Sequence, residues 1–161
     1  MMNQIISDPA FRTLGDANSL WKLCCHEGVQ ISPRVHGAVL TLDISNTQAA
    51  NWHGELRYAP FEVASSHKYT VVFSARAKHA FTFSVWLGRM RAPHASIVPE
   101  ENHFGEKRMT AAWQSFSHTW TPNATEPLAR LNFVLGQIDN VVEIKSIRLT
   151  CRPNGAAGAK G

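Results

Sequence analysis

Residues 69 to 76 impose the first constraint on this chain. Tyr69, Val71, Phe73 and Ala75 fall in one phase, while Thr70, Ser74 and Arg76 fall in the other. That period of two belongs to a β-strand with one buried face. The same alternation returns along the sequence. Trp21 and Leu23 alternate within 20–24, and Leu40, Leu42 and Ile44 alternate with Val39, Thr41 and Asp43. Phe81, Phe83, Val85 and Leu87 alternate with Thr82, Ser84 and Trp86, and Phe116 and Trp120 are in phase. Leu131, Phe133 and Leu135 point one way, Arg130, Asn132 and Val134 the other. In the last segment Val142 and Ile144 are followed out of phase by Ile147 and Leu149, which predicts a β-bulge near Lys145 or Ser146. About eight or nine short strands, with no helical stretch and no internal repeat, predict an all-β fold, a jelly-roll β-sandwich of two antiparallel sheets.

At 161 residues the chain can bury one core without disulfide or metal staples. Residues 1–19 read as an irregular N-terminal arm laid against the sandwich, 20–152 as the sandwich itself, and 153–161, rich in Gly and Ala, as a flexible tail. A polar loop over 45–51 delivers the chain to Trp52. Between Gly88 and Met109 the alternation dissolves into a long segment with two prolines, two histidines, three arginines and the Glu100–Glu101 pair. A segment of that length inside one domain is expected to be functional or mobile.

Several function classes are excluded. The formal charge of +4 comes from scattered lysines and arginines, which leaves no basic footprint for a phosphate backbone, so nucleic acid is not an expected partner. No apolar run approaches a membrane span. Without a charged segment preceding an apolar one, the chain as written reads as cytoplasmic, and as secreted if a leader or neighbouring domain was removed. Cys24, Cys25 and Cys151 read as reduced thiols, and the Cys24-Cys25-His26 run lacks the spacing that lets ligands converge on one metal ion. Asn123-Ala124-Thr125 reads as a turn. The eight histidines are dispersed with no metalloprotease spacing, and no Gly-x-Ser-x-Gly elbow occurs. A glycosidase needs two carboxylates across a cleft, whereas Glu100 and Glu101 read as solvated loop acids. The expected protein is non-catalytic.

Sugar binding by a β-sandwich asks for an aromatic platform and for planar polar groups that make paired hydrogen bonds to hydroxyls. Arg76, Trp86, Arg130 and Asn132 share the phase opposite the core, and Trp52 and Glu55, three apart, stand at the rim. These six are the candidate ligand-binding residues. The same outward Trp86 face suits the alternative, a protein-interaction or assembly module that docks a protein partner or a second copy of the chain.

The order of features resembles a known family. It runs from Trp52 through Glu55, Leu56, Tyr58, Phe61 and the stretch Tyr69 to Ala77. It continues with Trp113 to Phe116 and Leu131 to Gly136, and ends in Val142 to Leu149. Over roughly residues 20 to 150 this is similar to carbohydrate-binding modules of the family 4/9 type. The resemblance implies a galactose-binding-like jelly roll that holds glycan chains or chain ends and performs no chemistry. It also implies that the Trp52 ring stacks on sugar, that Glu55 accepts hydrogen bonds, and that Arg130 occupies a basic ligand-contact position. Members commonly carry a calcium-binding Asp in the last strand. Lys145 stands there instead, and an ammonium repels the ion, so no cofactor is expected.

Overall fold

The computed structural model describes residues 2–47 and 50–155. In chain order the strands are β1 (Asn3–Gln4), β2 (Trp21–Cys25), β3 (Gln30–His36), β4 (Val39–Ser45), β5 (Gly54–Val63) and β6 (His67–Ala77). They continue with β7 (Phe81–Arg89), β8 (Lys107–Met109), β9 (Gln114–Trp120), β10 (Glu126–Val134) and β11 (Asn140–Pro153). Short 3-10 turns cover Asn51–His53 and Glu100–Asn102. One sheet runs β3-β4-β11-β6-β9 with β1 paired to β11, and the other runs β2-β5-β10-β7-β8. All pairings are antiparallel. The fold is an all-β sandwich of two antiparallel sheets. Among the described residues no helix is long and apolar enough to cross a membrane.

The inward phase of each strand meets its counterpart from the opposite sheet. Phe73 on β6 sits at the centre, with ring centroids 5.1 Å from Phe133, 5.3 Å from Phe116 and 6.2 Å from Phe83. At one end Trp21 packs between Phe11 and Tyr58, at 4.8 and 4.9 Å. Burying each such side chain contributes about 1.5–3 kcal/mol, which is what holds the sheets face to face. Ser146 adopts φ 57°, and the register between β11 and β6 shifts between Lys145 and Arg148. The bulge predicted from the broken phase is therefore present: it lets Ile144 and Ile147 both stay fully buried.

The turn at 64–66 carries the chain from one sheet to the other, since β5 lies in one sheet and β6 in the other. Two segments differ from their sequence reading. The first residues supply β1, and Ile6 and Phe11 are buried in the core. The stretch from Gly88 to Met109 is tethered rather than structureless. Gly88 bridges to Ser96, residues 107–109 form β8, and Ile97, Val98 and Phe104 are buried. Buried Glu126 forms ion pairs at the base of this segment, its Oε1 lying 3.4 Å from Arg89 Nε and 3.6 Å from Arg91 Nη2. An anchored loop needs isolated apolar plugs and has no period to read. Of the expected tail, Pro153 ends β11 and Asn154 N donates to Ser66 O at 2.8 Å. From residue 156 onward that expectation lies outside the described residues, as do 48 and 49 of the 45–51 loop.

One glycine controls how the chain enters β5. A Cβ at Gly136 would stand 2.6 Å from Asn51 O and 2.8 Å from Gly54 N, both backbone atoms. Gly136 N also donates to Asn51 O at 2.9 Å, so the 3-10 turn carrying Trp52 lies directly on this residue. Gly136→Ala is expected to lower stability in urea denaturation by about 1–3 kcal/mol, the usual cost of overpacking. An unchanged midpoint would contradict this close approach.

Candidate functional site

The outer face of the five-stranded sheet is built from two rows of side chains that cross its strands. The pairing register puts Lys22, Arg57, Asn132 and Trp86 in one row, and Cys24, Glu55, Val134 and Ser84 in the next. These positions alternate with core residues Leu56, Tyr58, Leu131, Phe133, Val85 and Leu87, so they point away from the sandwich interior. The segment after β7 folds over this face and encloses a cleft of about 500 Å³ lined by Trp52, Glu55, Trp86, Arg130 and Asn132, together with His94 and His103. Ligand pockets commonly hold about 300–1,000 Å³.

The floor is a polar network. Asn132, 1% exposed, donates from Nδ2 to Glu55 Oε1 at 3.1 Å and accepts from Arg57 Nε at 3.2 Å. Arg57 Nη2 lies 3.5 Å from the same Glu55 oxygen. Arg130 Nη2 donates to the His94 carbonyl at 3.1 Å, which ties β10 to the overlying segment. Among the described residues, Ser84 Oγ and Arg130 Nε are buried with no hydrogen-bond partner, and such groups are costly until something satisfies them. Burial pushes the Glu55 carboxyl above its ordinary range, against the downward pull of Arg130, Arg57 and His26. Burial, then the neighbouring Arg57, lowers the Arg130 guanidinium, with Glu55 and Cys24 opposing.

The raised Glu55 value has a testable sign. The folded chain holds this proton more tightly than the unfolded chain, so the associated stability is present below the unfolded value and lost as pH rises through the folded one. Glu55→Gln removes that loss. The difference in melting temperature, variant minus parent, is expected to be more positive at pH 7 than at pH 4. A flat or inverted difference would show that the Arg57 and Asn132 contacts outweigh burial.

The walls are aromatic. Trp52 is 51% exposed and Trp86 is 37% exposed, and each ring has an imidazole against it. Trp52 stands 4.3 Å from His53 and 5.3 Å from His26, and Trp86 stands 4.9 Å from His103. Trp52 lies in the 3-10 turn that leads into β5, and Trp86 lies on β7, two strands from β5, a lateral offset of roughly 10 Å.

The structure brings five of the six candidates together and separates the sixth. Arg76 belongs to β6, in the other sheet, and projects from the opposite side of the molecule. It donates to Glu143 Oε1 at 2.6 Å and lies 4.6 Å over Trp113. Its shared phase with Arg130 is real, but each strand turns its outward phase toward a different solvent face. Glu55, expected at the rim, is instead 7% exposed on the floor. Arg57, in phase with Glu55, was legible in the alternation as a floor residue. His94 and His103 carried no such signal, because a loop places them. Lys145 Nζ stands 4.1 Å over Trp113, next to Arg76. Two cations on one ring do not fit a calcium site, and no group of three or more His, Cys, Asp or Glu among the described residues could hold a metal.

The outer face of this β-sandwich is therefore a polar-floored cleft walled by exposed tryptophans. No family model and no curated protein matches the chain. Among solved structures, a CBM4 module is similar at a TM-score of 0.80 and 17% identity, over 92% of this chain and 100% of that one. The second N-terminal cellulose-binding domain of Cellulomonas fimi β-1,4-glucanase C is similar at 0.64 and 20% identity, over 84% and 87%. The N-terminal cellulose-binding domain of the same enzyme follows at 0.61 and 15%, over 80% and 86%. At these identities the likeness is one of fold: the chain has a CBM4-like domain fold.

Proposed function

We propose that this chain is a non-catalytic carbohydrate-binding module that holds a poly- or oligosaccharide across the outer face of the five-stranded sheet. The observation that carries the reading is the pairing of two exposed tryptophans with a preorganised polar floor in one cleft. Indole rings offer flat apolar surface to the C–H face of a pyranose. Both floor contacts of Glu55 fall on Oε1, so Oε2 is the oxygen that accepts a ligand hydroxyl. Asn132 acts from beneath, holding Glu55 and Arg57 in register. The named cellulose-binding function of two structures with this fold supports the same ligand class.

The test is a glycan array followed by affinity electrophoresis on common polysaccharides, with tryptophan fluorescence as the direct readout. Saturable binding that shifts the indole emission is expected. Blank results in both screens, with Trp52 and Trp86 variants altering only the oligomeric state, would replace this reading with an assembly role.

A further inference from the structure

We propose that the cleft selects an acidic chain and that Arg130 binds the carboxylate of a uronic acid residue. The inference rests on the carbohydrate reading above and names the class of sugar. Its starting point is a charge left without a close partner. Glu55 and Glu106 are the carboxylates among the lining residues, and Glu55 is already engaged with Asn132 and Arg57 through Oε1. Among the described residues no carboxylate lies within 4.0 Å of the Arg130 guanidinium. Arg57, the other nearby guanidinium, does have Glu55 at 3.5 Å.

Arg130 is also held in place. Its Nη2 donates to the His94 carbonyl at 3.1 Å, and its Nε is buried. This leaves both protons of Nη1 and one of Nη2 to donate. Two such donors match the two oxygens of a carboxylate, and a tethered fork loses little freedom on binding. A neutral pyranose could accept single hydrogen bonds from these donors but would leave the half-buried positive charge with only the more distant Glu55 carboxylate and Cys24 opposing its loss. The depressed hold of Arg130 on its proton, caused by burial and by Arg57, is the mark of such a cation. A ligand carboxylate offsets both effects by its opposite charge. His94 and His103 line the same cleft and add polar surface where an acidic chain would pass.

The experiment compares homogalacturonan, alginate and glucuronoxylan, each with its carboxyl-reduced neutral form, by affinity electrophoresis and by calorimetry on short oligomers. At least one acidic form is expected to bind about ten- to a hundredfold tighter than its reduced form, the range of one charge-assisted pair, and to weaken with added salt. Arg130→Gln is expected to erase that preference. Arg130→Lys, which keeps the charge and can still reach the His94 carbonyl, is expected to retain part of it, and circular dichroism of both variants checks the fold. Neutral forms binding as tightly as acidic ones, with Arg130→Gln changing neither, would overturn the inference and leave the carbohydrate reading standing. Equal binding of dextran sulfate would overturn it too, because charge alone would then suffice. Failure of every acidic and neutral chain would remove both readings together.

Discussion

Replacing Trp52 and Trp86 together with alanine is expected to abolish measurable glycan binding while leaving the fold intact. Both rings are exposed, at 51% and 37%, and neither belongs to the buried core, so their truncation removes contact surface without opening a cavity. A tryptophan that anchors a ligand typically contributes 2 kcal/mol or more, about thirtyfold in affinity. Each single variant should therefore weaken binding by at least that factor, and the pair by more than a hundredfold. Calorimetry against the best ligand of the glycan screen gives the affinities, and far-ultraviolet circular dichroism checks the fold. Trp52→Phe should recover part of the loss, since a smaller ring still stacks. Undiminished binding by the double variant would move the ligand off this face altogether.

Phe73→Ala is expected to produce the largest loss of stability of any single change considered for this chain, about 3–5 kcal/mol. The ring is 1% exposed and touches aromatic neighbours from both sheets, Phe116 on one and Phe83 and Phe133 on the other, with Phe104 at 6.4 Å from the segment that covers the cleft. Truncation leaves a cavity where four rings meet, and rigid sheets close it poorly. A domain of this size has only about 5–15 kcal/mol in total, so the variant should unfold at much lower urea with an unchanged slope. Glycan affinity measured on the folded fraction should change little, because the five-stranded sheet stands between Phe73 and the cleft. A loss below about 1.5 kcal/mol would mean that the core refills, as volume-conserving changes do.

These two expectations draw on information of different kinds. Phe73 was legible as a core residue from Tyr69, Val71 and Ala75 in the same phase, and so were Phe83 and Phe133 in their own strands. The bulge at Ser146 was legible too, because one extra residue breaks a strict period of two. Trp86, Arg130 and Asn132 could be assigned to an outward face for the same reason. Arg76 obeys the same rule yet lies elsewhere, since the turn at 64–66 carries the chain from one sheet to the other rather than into a hairpin. Alternation carries no label that says which sheet a strand joins.

What the sequence by itself determined is the two-faced character of the strands and hence the all-β class and the composition of the core. Side-chain direction along an extended backbone is a local property, set within two residues. Tertiary structure decided which outward faces coincide. The register of β5, β10 and β7 puts Glu55, Arg57, Asn132 and Trp86 side by side, although they are separated by as many as 77 positions in the chain. The fold of the segment after Gly88 then turns that open face into a cleft, through Ile97, Val98 and Phe104 as buried anchors and Arg130 bound to the His94 carbonyl. Pairing partners and loop anchors are long-range choices, made by the packing of the whole core, and no local period encodes them.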